Sequence, residues 1–186
     1  MESQRERFTE KLRNMALIRN RLTLLPVIFL LLTAVACKIN FSTSGASISP
    51  QVRTFSVQRF FNRAATVLPG VDQYLTDALI DKCRSQTSLR VVSDLGDVDF
   101  EGEITDWRSQ PLTVDATAFA ATNRFTITVR VKFTNTIEPH FSYEQTFSRY
   151  EDYDANRDWA AAEAELYPTI IDAIIEDIFN RAFVNW

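Results

Sequence analysis

Few residues in this chain are of a kind that could do covalent or acid-base chemistry, and spacing decides what each could do. There are two cysteines and one histidine. Cys37 closes the run LLPVIFLLLTAVAC (24–37). From Leu22 to Ala36 the apolar stretch is about 15 residues, short of the roughly 20 a bilayer-spanning helix needs. Arg19 and Arg21 stand before it, with Arg5, Arg7, Lys11 and Arg13 further out, and Ala34 and Ala36 mark its exit. A charged start, an apolar centre and a small-residue exit make an export signal. Ala34-Val35-Ala36-Cys37 resembles a bacterial lipobox, in which the thiol is acylated and becomes the first mature residue. Two lipid chains then hold a protein at a membrane where one would not. Residues 1–36 are read as a lipoprotein signal peptide, with Met15 an alternative start, and are set aside in reasoning about the fold. The competing reading is a buried apolar helix with an incidental cysteine. The polar ASISPQ (46–51) that follows argues against it.

The other candidates for chemistry are weaker. Cys83 falls on the apolar stripe of a helix and reads as a buried structural thiol. His140 follows Pro139 in a connection, and no local nucleophile or carboxylate makes a triad with it. An acidic ladder, Asp97, Asp99, Glu101 and Glu103, occupies alternate positions of a strand, where same-face residues stand about 6.5–7 Å apart. Two such carboxylates could share a cation or divide acid and base roles. A neighbouring strand offering Arg124, Arg130 and Lys132 would instead make the ladder half of a salt-bridged surface. With four glycines there is no phosphate-cradling loop, and neither CxxC nor HExxH occurs. No catalytic residue, metal site or cofactor is expected; the chain does not read as an enzyme.

What must position these residues is one domain. Removing the six basic and three acidic leader residues from 20 and 24 leaves 14 against 21, a charge of about −7 for residues 37–186. That balance excludes nucleic acid, whose phosphates call for Lys and Arg. An anionic ligand would need a local basic patch. About 150 residues make one core, and with Cys37 acylated no disulfide framework remains.

Residues 37–51 are rich in Ser, with Thr, Gly and Pro, and read as a flexible tether; 52–186 is the domain. VRTFSVQRF (52–60) reads as a strand. In VDQYLTDALIDKCRSQ (71–86) an apolar stripe recurs at helical spacing, and SLRVVS (88–93) is extended. DVDFEGEITDW (97–107) places Val98, Phe100, Gly102 and Ile104 on one face. RFTITVRVKF (124–133) alternates most clearly, with Phe125, Ile127, Val129, Val131 and Phe133 on one side. TNTIEPH (134–140) is a hairpin connection and FSYEQTFSRY (141–150) a further strand. From about Asp158 to Ala182 the chain is helical, capped by Asn156 or Asp158, with Pro168 marking a kink or a second helix start. The expected fold is α+β, a two-layer sandwich in which two helices cover one face of a four-stranded sheet, in the order β-α-β-β-β-α.

Two stretches read as contact surfaces. RSQPLTVDATAFAATN (108–123) is a long connection carrying Leu112, Val114 and Phe119; either the strands extend into it or it meets a partner. Phe183, Val184 and Trp186 end the chain and either cap the core or touch a partner.

The segments FSTSGASISPQVRTFSVQRFFNRA, DVDFEGEITDW, NRFTITVRVKFTNT, YEQTFSRYEDYDA and EDIFNRAFVNW together resemble the LptE family, lipopolysaccharide-assembly lipoproteins of Gram-negative outer membranes. The likeness runs from Cys37 to Trp186. It implies a non-catalytic outer-membrane lipoprotein, anchored through lipid on Cys37, that plugs the lumen of an LptD-type β-barrel one to one, helps it assemble and assists delivery of lipopolysaccharide to the outer leaflet. Leu112, Val114 and Phe119 are then candidate barrel contacts. Arg124, Arg130 and Lys132, and next Arg53, Arg59 and Arg63, are candidate contacts to the anionic lipid, since Arg and Lys pair with phosphate. The alternative is an anchored envelope lipoprotein that binds sugar or metal through the acidic ladder.

Overall fold

The structure is a computed structural model that describes residues 48–66, 68–112 and 122–184. Three long strands run consecutively in an antiparallel meander: β4 (Val98–Pro111), β5 (Thr122–Asn135) and β6 (Tyr143–Asp154). A single turn of 3-10 helix, Pro139–Phe141, lies between the last two. Before them come β1 (Thr54–Val57), β2 (Phe61–Asn62), helix α1 (Val71–Gln86) and β3 (Arg90–Val91); helix α2 (Trp159–Phe183) follows. The sheet order is β3-β1-β4-β5-β6, with β2 also on β4. β1 is parallel to both β3 and β4, because α1 carries the chain back across the sheet between them. The class is α+β, as expected, but the sheet has six strands and not four. Within the stretch 52–60 only Thr54–Val57 is strand, β1, and β2 follows just beyond it at Phe61–Asn62; SLRVVS contributes the two-residue β3.

The alternation of β5 is obeyed throughout. Phe125, Ile127, Val129, Val131 and Phe133 are all buried, each contributing about 1.5–3 kcal/mol relative to exposure. They meet Val71, Leu75, Leu79 and Cys83 of α1 and Ile170, Ile171, Ile174, Ile178 and Phe183 of α2 in one core. Within it Phe100, Phe133 and Phe183 make mutual edge and tilted contacts at 4.9–6.0 Å between centroids. Phe183 and Val184 therefore serve the core; Trp186 lies outside the described residues. Ile48 also packs against it.

Alternation in β4 breaks once. Ile104 faces Val129, but the next pair is Asp106 with Thr128, so Thr105 is a bulge. The phase shifts by one residue and brings Trp107 to the core at 4% exposure. There its indole N–H donates to Glu163 Oε1 at 2.6 Å, a buried carboxylate on α2. Replacing Glu163 with Ala should leave that N–H without an acceptor and cost about 1–3 kcal/mol; urea unfolding followed by Trp fluorescence would measure it.

Helix α2 runs through Pro168 as one element of 25 residues, so Pro168 does not start a second helix. Proline lacks the N–H that would bond the Ala164 carbonyl, and Ala164 faces solvent, where water can take that carbonyl. Asp158 is the cap, its carboxylate accepting from the Ala161 N–H at 3.0 Å.

Candidate functional site

The sheet has one face under the helices and one open. Strand register fixes which polar side chains gather on the open face. Glu101 pairs with Lys132 and Glu103 with Arg130 across β4 and β5; their side chains meet at 3.0 Å and 3.5 Å. Phe61 of β2 stands beside Glu103, and Arg63, just past β2, reaches Glu103 from the other side at 3.5 Å. Glu103 thus bridges two guanidinium groups. Arg59 completes the rim and is held by Asp72 of α1 at 2.7 Å; this guanidinium keeps the Asp72 carboxyl below its usual range. A groove of about 250 Å³ lies among Arg59, Phe61, Glu101, Glu103, Arg130 and Lys132. A wider depression continues past Gln58 and Glu101 to Asp94 and Leu95. Phe61 and Leu95 are 62% and 75% exposed, two apolar anchors on a charged face.

Of the cations expected to meet an anionic ligand, Arg59, Arg63, Arg130 and Lys132 therefore come together. The other two do not join them. Arg124 is bidentate to Asp152 at 2.7 Å and 3.0 Å and lies 3.6 Å over the Tyr150 ring, and it holds the Asp152 carboxyl below its usual range. Arg53 borders a separate depression with Arg90 and Ile48. Each gathered cation already has a carboxylate, so the face is balanced and not simply basic. The concavity between α1 and α2, about 630 Å³, is acidic, with Asp77, Asp81, Asp172 and Glu176 against Lys82.

The acidic ladder divides its work. Glu101 and Glu103 are paired as above. Asp99 is 2% exposed and accepts from the Ser56 hydroxyl and from the Gln58 amide at 2.9 Å, tying β4 to β1. Asp97 Oδ2 accepts the Arg53 and Thr54 N–H groups at 2.8 and 2.9 Å, and these bonds lower its pKa, the Arg53 one most. Among the described residues no three His, Cys, Asp or Glu groups are placed to hold a metal. The lowered folded-state pKa means stability from Asp97 is present above the unfolded value, about 4, and is lost as pH falls through the folded one. Asp97→Asn keeps an acceptor but removes the charge. It should lower stability near pH 7 by less than about 1 kcal/mol for so solvent-screened a group, with the difference from wild type vanishing toward pH 2. Urea midpoints across that range test it.

Burial pushes the Cys83 thiol up to about 12, so it is an inert core group. His140 is exposed in the 3-10 turn, its ring 4.0 Å from that of Phe141. The stretch 108–123 is partly strand, β4 reaching Pro111 and β5 starting at Thr122. Leu112 is half-buried and its N–H donates to the Thr122 carbonyl at 2.9 Å. Val114, Phe119 and Cys37 lie outside the described residues. Sequence reasoning missed Phe61, although the pair Phe60-Phe61 contained the signal: adjacent strand residues point to opposite faces, so one had to face out.

A family model described as LptE, lipopolysaccharide-assembly, matches residues 52–182. Among solved structures the chain is similar to a minor lipoprotein from Acinetobacter baumannii, at 10% identity over 70% of this chain and 91% of that one, TM-score 0.47. It is also similar to rare lipoprotein B from Shewanella oneidensis, at 13% identity over 68% and 89%, TM-score 0.43. Likeness at this level bears on neither ligand nor partner. Comparison with curated proteins gives no match.

Proposed function

Starting from a chain that belongs to the LptE, lipopolysaccharide-assembly, family, we propose that it is an outer-membrane lipoprotein, anchored through lipid on Cys37, that plugs an LptD-type β-barrel and assists passage of lipopolysaccharide to the outer leaflet. The observation that carries this reading is the family match, which spans the whole sheet-and-helix domain. The physics of the domain agrees with it. A plug must be rigid, and one continuous core joins both helices to the sheet. It must also tolerate a hydrated lumen, and the open sheet face is charged yet balanced, with Phe61 and Leu95 available as apolar anchors. Among the described residues no helix is long and apolar enough to cross a membrane; in this reading the lipid on Cys37 is the attachment. The gathered cations Arg59, Arg63, Arg130 and Lys132 are the groups that would meet the phosphates of lipopolysaccharide.

Pull-down of the tagged full chain from detergent-solubilised envelopes should recover a large barrel in equal amount, and depletion should leave lipopolysaccharide trapped within the envelope. Recovery of no barrel would overturn the reading. Intact-mass measurement of the exported protein tests the anchor separately: the mature chain should begin at an acylated Cys37.

A further inference from the structure

The two edges of the sheet differ. At one end stands β3, two residues long and too short to template another strand. At the other stands β6, twelve residues that pair with β5 without a bulge or proline from Tyr143 to Asp154. Among the described residues nothing pairs with its outer side. Side chains of both parities are exposed along it, including Thr146, Ser148, Arg149, Tyr150 and Asp152. A long, regular, open edge is a ready template for strand addition.

The sequence of β6 says what it pairs with. For two copies meeting antiparallel about a two-fold axis, the axis passes through one residue, and opposed positions are those equidistant from it. Centred on Ser148, the pairing sets Glu144 against Asp152, and centred on Arg149 it sets Glu144 against Asp154; both are like-charge contacts, which destabilise. Centred on Tyr150, it sets Arg149 against Glu151 twice, Phe147 against Tyr153 twice, Ser148 against Asp152 twice, and Tyr150 against itself. Among centres within the strand, this one alone opposes unlike charges and no like ones. The geometry of Arg149 allows the contact. Its Nε and one terminal nitrogen bind Asp177, both at 2.6 Å, and the other terminal nitrogen is left to donate. Glu151 has no ion-pair partner among the described residues. Tyr150 remains 53% exposed even with Arg124 over its ring.

We infer that β6 is a self-recognition edge through which two copies of this chain join their sheets, antiparallel and centred on Tyr150. The joined form is twice as wide as one domain. It is therefore a state of the free lipoprotein, exclusive of a one-to-one plug, and it covers the edge that would otherwise aggregate. Confinement to a membrane surface raises the effective concentration of copies and favours it.

Cysteine crosslinking of the full chain in cells reads the register directly. Tyr150→Cys should give a covalent dimer on non-reducing gels. Ser148→Cys and Asp152→Cys should each give little, and the two together should restore it, because they oppose one another. In the Tyr150→Cys background, Arg149→Glu or Glu151→Arg should cut the yield about tenfold by placing like charges opposite at two symmetric positions. The double exchange should recover it, and Glu151→Arg leaves the Asp177 contact untouched. Equal yields from Tyr150→Cys and Ser148→Cys, capture of a protein of another mass, or no recovery in the double exchange would each overturn the proposal. Barrel pull-down from the same cells keeps the plug reading separate, since that complex does not require β6 pairing.

Discussion

Replacing Gly102 with valine should destabilise the domain by about 2–4 kcal/mol, a large part of the 5–15 kcal/mol that holds a domain of this size together. Gly102 lies in the middle of β4 opposite Val131, on the face toward the helices. A Cβ there would come within 2.7 Å of the Arg130 carbonyl oxygen, and it would strike the Phe60 ring. The ring is fully buried against the strand, filling the space a side chain would take, as aromatics do over strand glycines. Valine must therefore push the backbone of β5, which two flanking ladders hold, or expel Phe60. The second is easier and forfeits aromatic burial. Because Phe60 points in, its neighbour Phe61 points out, so the same substitution should disorder the anchor and move Arg59 and Arg63. Urea unfolding measures the loss. A double-mutant cycle with Phe60→Ala locates its cause: if the clash is with the ring, the pair should cost at least about 1 kcal/mol less than the sum of the two.

Much of this architecture was legible because period-two and helical patterns report faces directly. The five inward residues of β5 and the stripe of α1 are where their spacing put them. Features that change the period without changing composition were not legible. The Thr105 bulge needs no special residue, yet it decides that Trp107 reaches Glu163. Segments shorter than a few residues carry no period, so β2 and β3 could not be counted. Pro168 argued on local grounds for a kink or a second helix start; the helix is continuous, and exposure of Ala164 leaves the freed carbonyl to water. The site was half legible. Faces placed Arg130 and Lys132 together and opposite the acidic ladder, whereas Arg59 and Arg63 arrive through parallel pairing of β2 with β4, a long-range contact. Which carboxylate neutralises which cation is a matter of register, and register came only with the structure.

That pairing gives the expectation of opposite effects from neighbouring charges. If the groove on the open face meets the phosphates of lipopolysaccharide, the phosphates must displace Glu101 from Lys132 and Glu103 from Arg130 and Arg63. All these cations are more than half exposed, so solvent screens their ion pairs and they add little to stability. Their local fields still compete with an incoming anion. Glu101→Gln with Glu103→Gln should therefore strengthen binding of lipopolysaccharide about tenfold, and Arg130→Gln with Lys132→Gln should weaken it by a similar factor, with unfolding midpoints nearly unchanged in both. Salt should weaken the carboxylate-free variant more steeply than the cation-free one, because it presents the larger unshielded charge. Binding by the full chain, followed with labelled lipopolysaccharide over a range of ionic strength, distinguishes these outcomes. Equal affinity in the two variants would remove the groove from the lipid's path and leave Phe61, Leu95 and the surrounding charges as a surface for the barrel wall.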